Sequence, residues 1–364
     1  MTGAVTGWSA WWAGQLAREL VEEVDLATDP GALDRGGWWA VAIDFHYPQQ
    51  HGGAIGRARA WRFGDVRAHP LPAASGFAPP RADWHSSLDR QAYIAGVRRI
   101  RELVRAGEVY QANLCRVLSV PAGAELVRQG PYPLAGLLAA GNPAPFAGVL
   151  NVPGLWLASA SPELFLRREQ EMLTSAPIKG TAVSADRLLA KDTAENVMIT
   201  DLVRNDLQRV CRPGTVAVPS LLGVERHPGL VHLVSTITGR LRDGVGWGEI
   251  LAALCPPGSV SGAPKHTALQ AIRELEPVPR GPYCGAIGWV DADAGTAELA
   301  VGIRSFWIDT TEADPMLRFG TGAGITWGSD PQAEWAETEL KADRLVRIAS
   351  GHGALASAGG VLGE

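Results

Sequence analysis

Hydrophobic and polar positions recur along this chain with two periods, near 3.6 and near 2, and the switches between them mark its elements. Residues 10–23 (AWWAGQLARELVEE) space their apolar positions like an amphipathic helix. Residues 37–45 and 56–64 predict strands, and the Pro-, Ala- and Gly-bearing stretch 68–87 predicts a linker. A helix follows over 88–106, stopped by Gly107 in the C-cap role. Next come a strand at 109–120, a helix near 133–140, and short strands at 146–150, 155–160 and 163–168. The pattern then predicts a long helix over 185–210, strands at 215–219 and 231–240, and helices at 247–254 and 264–275. Three strands near 283–291, 297–308 and 316–326 precede a last helix at 331–349. Strands come in runs rather than alternating with helices, which predicts an α+β class with antiparallel sheets clad by helices.

Composition narrows the function. Hydrophobic residues make up 46% and charged residues 20%, as in a globular protein. A formal net charge of −5 leaves no basic excess to meet phosphates, so neither nucleic acid nor an anionic membrane is an expected partner. No apolar run reaches the roughly 18 residues a membrane span needs. The start, MTGAVTGWSAWWAG, lacks the basic and apolar regions of a signal peptide, so a cytoplasmic location is expected. Cys115, Cys211, Cys255 and Cys284 are scattered without a C-x-x-C and read as buried, inert thiols.

Of 33 Lys plus Arg residues only four are lysine: Lys179, Lys191, Lys265 and Lys341. A lysine retained among arginines is either chance or a site where a guanidinium, which cannot lose its proton, would fail. Lys179 lies in TSAPIKGTAV between strand-like residues and Gly180, on a predicted turn. It is either a surface ammonium or a nucleophile whose pKa burial must lower from near 10.4. Glu163 follows Pro162 in an otherwise apolar strand; it either faces water at an edge or is a desolvated general acid.

Carboxylates also fall on predicted apolar stripes. Glu195 lies on the stripe of Leu188, Ile199 and Leu202, with Asp192 a turn earlier. Glu337 and Lys341 lie within that of Ala333, Leu340, Leu345 and Ile348, with Glu334 a turn earlier. Glu337 and Lys341 can form an i,i+4 ion pair. Inward carboxylates on two helices also suit a shared hard cation such as Mg²⁺. Gly320, Gly322 and Gly324 in FGTGAGI have G-x-G-x-G spacing, which is neither a dinucleotide fingerprint nor a P-loop; they predict a loop of free N–H groups suited to a carboxylate.

Taken together, GEVYQANL, SPELFL, PIKGT, KDTAENVMITDLVRNDL, HLVSTITG, GSVSGAPK, YCGAIGW, AVGIRS and GAGITWGSDPQAEWAETELKAD occur in an order that resembles the chorismate-utilising enzymes. That family includes anthranilate, aminodeoxychorismate, isochorismate and salicylate synthases. The likeness covers roughly residues 88–349 and divides the chain into a shortened N-terminal portion (1–87), a catalytic core (88–350) and a tail (351–364) expected to be disordered.

The resemblance implies one large α+β fold of two halves, with the site between them. PIKGT is similar to the aminodeoxychorismate synthases, where anthranilate and isochorismate synthases usually carry alanine at the lysine position. Gln111 falls where the water-using members carry a lysine base, which implies ammonia as the nucleophile. By the same resemblance Lys179 attacks C2 of chorismate, Glu163 protonates the departing 4-hydroxyl, and ammonia adds at C4 to give 4-amino-4-deoxychorismate. That product serves para-aminobenzoate and folate synthesis or a related secondary metabolite.

Mg²⁺ on Glu195 and Glu337, with Glu334 and Asp192 nearby, is expected to bind the ring carboxylate, assisted by Lys341 and the Gly322 and Gly324 amides. Arg304 and Tyr283 are expected on the enolpyruvyl carboxylate, and Gly180, Ser259, Ser261 and His232 along the pocket. No cysteine sits in a G-x-C-x-G setting, so a separate glutaminase subunit is the expected ammonia source. The alternatives are anthranilate synthase component I, another ammonia-using member, or a non-catalytic paralogue; intact Lys179, Glu163, Glu195, Glu337 and Arg304 speak against the last.

Overall fold

The computed structural model describes residues 7–48, 50–51, 54–73, 76–182, 184–187, 190–227 and 230–352. Apart from the hairpin of Gln50–His51 with Ala54–Ile55, the described strands form one continuous antiparallel sheet with two arms. Ser9–Trp12 joins the arms, pairing with Gln15–Asp25 on one side and Phe146–Val152 on the other. The first arm runs from Phe146–Val152 through Leu155–Ser161, Ser305–Ile308 and Met316–Ile325 to Gln111–Pro121. The second runs from Gln15–Asp25 through Ala58–Ala68, Trp38–Ile43, Ala286–Asp291, Thr296–Val301, Leu164–Glu169 and Met172–Ala176 to Leu230–Arg240. Leu230–Arg240 also pairs with Ile178–Ala182 and Ala217–His227.

Seven α-helices clad the described sheet: α1 (Arg90–Arg105), α2 (Gly123–Gln129), α3 (Tyr132–Gly141), α4 (Ala190–Gln208), α5 (Trp247–Leu254), α6 (Lys265–Leu275) and α7 (Pro331–Ala349). Most of them bury an apolar stripe, and α2 buries Leu126 alone. In α1 the stripe is Tyr93, Ile94, Val97, Ile100 and Leu103. Asp89 caps the start by accepting from the Ala92 N–H at 2.8 Å. Gly107, at φ +78°, closes the end, with Glu108 N donating to Leu103 O at 3.0 Å. The residues α2, α3 and α7 bury share a core with the first arm, while α4 and α5 pack in the main core of the second. The architecture is the expected α+β fold, two antiparallel halves clad by helices. Among the described residues no helix is long and apolar enough to cross a membrane.

Several sequence expectations need correction. Residues 10–23 are not a helix but parts of two strands, Ser9–Trp12 and Gln15–Asp25. Ala13 and Gly14 both take positive φ (50° and 75°), the backbone a tight hairpin turn requires, and burial then alternates with period two from Leu20 to Asp25. Tertiary pairing with Ala58–Ala68 overrides the helical spacing. The predicted strand 297–308 is two strands, interrupted at 302–304. Lys179 lies in the strand Ile178–Ala182 rather than on a turn, and α4 starts at Ala190.

FGTGAGI lies in the strand predicted near 316–326 and is not the loop its glycine spacing predicts: Met316–Ile325 pairs with Gln111–Pro121 over its whole length. In α7 the buried face is Pro331, Glu334, Thr338, Ala342, Leu345, Ile348 and Ala349. Ala333 is exposed, Leu340 is 77% exposed, and Glu337 is only half-buried. Leu188 and the tail from 353 lie outside the described residues.

Candidate active site

The chain crosses between the arms at two short connections. Pro162 and Glu163 link Leu155–Ser161 to Leu164–Glu169, and Gly302–Arg304 link Thr296–Val301 to Ser305–Ile308. The crossovers are tied together: Val301 N donates to Glu163 O at 3.0 Å, Ala160 N to Arg304 O at 3.0 Å, and Ser161 Oγ to Val301 O at 2.6 Å. Leaving one ladder for another strains the backbone, and Arg304 takes φ +52°. Glu163 and Arg304 therefore stand at the seam of the two halves.

Lys179 reaches the same seam from the second arm. Its Nζ donates to the Ser259 carbonyl at 2.8 Å. Burial lowers its pKa below the usual lysine value, outweighing the carboxylates of Glu163 and Glu195, which favour the charged form; the Lys341 ammonium adds to the lowering. Glu163 is 4% exposed, and burial raises its pKa despite hydrogen bonds from the Ser259 hydroxyl and the Ile178 N–H and the charges of Lys179 and Arg304. Both groups are thus displaced toward their neutral forms. Glu163 Oε1 is buried without a hydrogen-bond partner among the described residues, an unmet need that a substrate hydroxyl would satisfy.

The segment after α5 supplies the facing wall. Ser259 and Ser261 are buried, and Ser261 Oγ donates to Gly258 O at 3.2 Å. Asn113, which sequence reasoning missed, connects this segment to the first arm: its N–H donates to Ser261 O at 2.8 Å and its Nδ2 to Ser259 O at 3.5 Å. The signal was a polar residue inside an otherwise continuously buried strand. Gln111 is fully buried, donates from Nε2 to Asn113 Oδ1 at 3.4 Å, and leaves Oε1 with no partner among the described residues.

The glycine positions of the strand let it pack against these groups because they carry no side chain there. A Cβ on Gly324 would lie 2.1 Å from Gln111 Nε2, and one on Gly320 would lie 2.1 Å from the Tyr283 ring. Gly322 O accepts from Lys341 Nζ at 3.1 Å, so the Gly322 amide faces the edge away from Gln111–Pro121, an edge shared at period two with Gly324. Lys341 also pairs with Glu337 at 2.7 Å.

The remaining candidates are less gathered. Tyr283 is buried with its hydroxyl toward Cys115, and burial holds that hydroxyl protonated; its neighbour Cys284 donates from N to Gly302 O at 3.1 Å on the crossover that carries Arg304, whose charged neighbours are Glu163 and Arg344. His232 is buried on Leu230–Arg240, in register with Thr181 beside Gly180. Glu195 is half-buried at the border of the buried face of α4, next to Asn196. Asn196, also missed from sequence, fixes that helix by donating to Leu233 O at 3.0 Å and accepting from Ser235 Oγ. Asp192 is half-buried in the first turn of α4, and Glu334 is buried where its charge reaches Tyr93. Among the described residues no three His, Cys, Asp or Glu side chains are grouped as a metal centre.

The sequence pattern of the family described as chorismate binding enzyme matches residues 47–347. The chain belongs to this family. It is 38% identical to anthranilate synthase component 1 of Thermus thermophilus over 76% of this chain and 61% of that protein. It is 37% identical to aminodeoxychorismate synthase component 1 of Salmonella typhimurium over 72% of this chain and 58% of that protein. The chain thus spans about three fifths of the length of these relatives. The structure of the menaquinone-specific isochorismate synthase MenF from Escherichia coli superposes with a TM-score of 0.74 at 19% identity, covering 95% of this chain and 89% of that one. Anthranilate synthase component I from Streptococcus pneumoniae superposes with a TM-score of 0.72 at 23% identity, covering 86% and 81%. At those identities the likeness shows the fold.

The pKa directions give a pH expectation for this family member. With Lys179 as nucleophile and Glu163 as general acid, turnover would need the lysine neutral and the glutamic acid protonated, and the rate is expected to fall as acid protonates the one and again as base ionises the other. Glu163→Gln is expected to lower kcat about 10²–10⁴-fold and to abolish the alkaline decline while keeping the acid limb. A pH–rate profile of that variant with its alkaline limb intact contradicts the assignment.

Proposed function

We propose that this chain aminates chorismate as the synthase subunit of an aminodeoxychorismate synthase. The observation carrying this reading is the Lys179 amine at the seam between the halves, held at 2.8 Å from Ser259 O and biased by burial toward its neutral form. Its amine forms a bond to C2 of chorismate as the ring double bonds shift and the C4–O bond breaks, with the Glu163 proton leaving on the hydroxyl. Ammonia then bonds to C4, the double bonds return, and the C2–N bond to Lys179 breaks. Two easier displacements replace one difficult one. Arg304 offers a fork for a substrate carboxylate, and the Gly322 edge, with Lys341 above it, offers N–H groups for another.

Mg²⁺ belongs to the proposal. Glu195 and Glu337 would hold it, with Asp192 and Glu334 nearby, and when bound it would neutralise the charge of the ring carboxylate. An all-oxygen donor set suits this ion, and few protein ligands suffice because Mg²⁺ keeps waters and takes substrate oxygens. Lys341, paired with Glu337 at 2.7 Å and within electrostatic reach of Lys179, keeps the carboxylate side of the pocket next to the nucleophile.

The second reading is anthranilate synthase component I, favoured by the names of most of the similar proteins compared, among them the Thermus relative. Against it stands Lys179, an amine where that activity has no use for one. Chromatography with mass detection of the products from chorismate, ammonium and Mg²⁺ separates the two. The proposal expects 4-amino-4-deoxychorismate; anthranilate as the main product overturns it. Ammonium at alkaline pH is expected to suffice alone, whereas glutamine is expected to need an added glutaminase subunit. Consumption of glutamine by this chain alone contradicts the two-component arrangement.

A further inference from the structure

One cation outside the reactive groups ties the segment after α5 to the strand Gln111–Pro121. Arg280 is fully buried, as is its partner Glu276 at the end of α6. Its guanidinium donates from Nε to Glu276 Oε2 at 2.8 Å and from Nη2 to Glu276 Oε1 at 2.6 Å. Nη1 donates to Val260 O at 3.0 Å, and Nη2 also to Asn113 O at 3.0 Å. Glu276 Oε1 in turn accepts the Cys115 N–H at 2.8 Å. The flat face of the guanidinium lies 4.0 Å over the Phe45 ring, from the second arm.

A buried ion pair is seldom the most stabilising filling for its space, because two desolvated charges must be offset by their attraction and hydrogen bonds. What this pair supplies is fixed distance. Val260 sits between Ser259, whose carbonyl holds Lys179, and Ser261, whose carbonyl holds the Asn113 N–H. Asn113 bridges Gln111 and Ser259 O. One rigid fork thus sets the separation between the strand carrying Gln111 and the segment that holds the lysine.

We propose that Arg280, locked by Glu276, is a positioning residue that keeps Lys179 and Gln111 in register across the pocket. Its role in turnover rests on the amination reading above; its role as a clamp does not. Lysine cannot replace it, since three N–H groups on one tetrahedral nitrogen cannot reproduce a planar fork to two carbonyls and a bidentate carboxylate.

The test uses Arg280→Lys, which keeps the buried charge, and Glu276→Gln, which keeps an acceptor for Cys115 N–H should the first variant not fold. Amide hydrogen exchange, followed by mass spectrometry without substrate, is expected to rise at least about tenfold in segments 111–115 and 258–263, with α3 and the strand Phe146–Val152 unchanged. Steady-state kinetics with chorismate and ammonium are expected to show kcat down about tenfold or more, with KM within about threefold. A uniform rise in exchange, or local loosening with unchanged kcat, overturns the positioning role. If the wild-type protein does not aminate chorismate, the functional reading falls and exchange alone decides the clamp.

Discussion

Lys179→Ala is expected to lower formation of 4-amino-4-deoxychorismate at least about 100-fold, as losses of positioned catalytic groups do. Lys179→Arg is not expected to rescue it. Arginine keeps a positive charge beside Glu163 and Glu195 but stays protonated, so it has no lone pair for C2. The two variants therefore separate a nucleophile from an electrostatic lysine: the second role tolerates arginine, the first does not. With the amine gone, ammonia can enter at C2 instead, and a trace of an anthranilate-type product is expected from Lys179→Ala. Product analysis of both variants under excess ammonium checks this, and near-normal turnover in Lys179→Arg contradicts it.

Turnover is expected to depend on Mg²⁺, and Glu195→Gln or Glu337→Gln to abolish it while leaving the fold intact. Both side chains are half-buried rather than enclosed, so the neutral isostere leaves no costly void or stranded charge in the core. For Glu337→Gln the 2.7 Å pair with Lys341 weakens, an exposed i,i+4 interaction worth about 0.3–0.5 kcal/mol. A loss of activity far exceeding any loss of stability then points to the cation. Activity assays across a Mg²⁺ titration, with thermal unfolding of each variant, make the comparison. Full activity in excess EDTA contradicts it.

Much of the fold was legible because long amphipathic stretches declare their period. The last helix has the bounds its pattern predicts, Pro331–Ala349, and α1 carries both its cap and its stop signal in the sequence. Residues 10–23 take their structure from a distant strand, Ala58–Ala68, and local spacing carries no record of such a partner; at FGTGAGI the strand predicted over 316–326 holds, and only the loop reading of its glycines fails. The predicted face of α7 is rotated from the observed one because the pattern counts Leu340 as core, whereas it is 77% exposed and Thr338 and Ala342 are buried instead.

The site divides the same way. Lys179 stood out because lysine is scarce in this chain, and Glu163 because it interrupts an apolar run. Asn113, Asn196 and the Arg280–Glu276 pair were missed, since each acts through main-chain groups far away in sequence, such as the 167-residue separation between Arg280 and Asn113. Nothing in the order of residues marks Glu163 and Arg304 as lying on the two crossovers. That follows only from the pairing of the strands on either side.

The most direct test of the central claim is mass spectrometry of the intact protein incubated with chorismate and Mg²⁺ while ammonia is withheld. The first displacement then has no second to follow it, and the account expects an added mass equal to chorismate less one water. Peptide mapping is expected to locate the adduct on Lys179, to find it absent from Lys179→Ala, and to see it discharged when ammonium is added. An unmodified protein that nevertheless forms 4-amino-4-deoxychorismate once ammonium is supplied, or an adduct on any other residue, contradicts the assignment of Lys179 as the nucleophile.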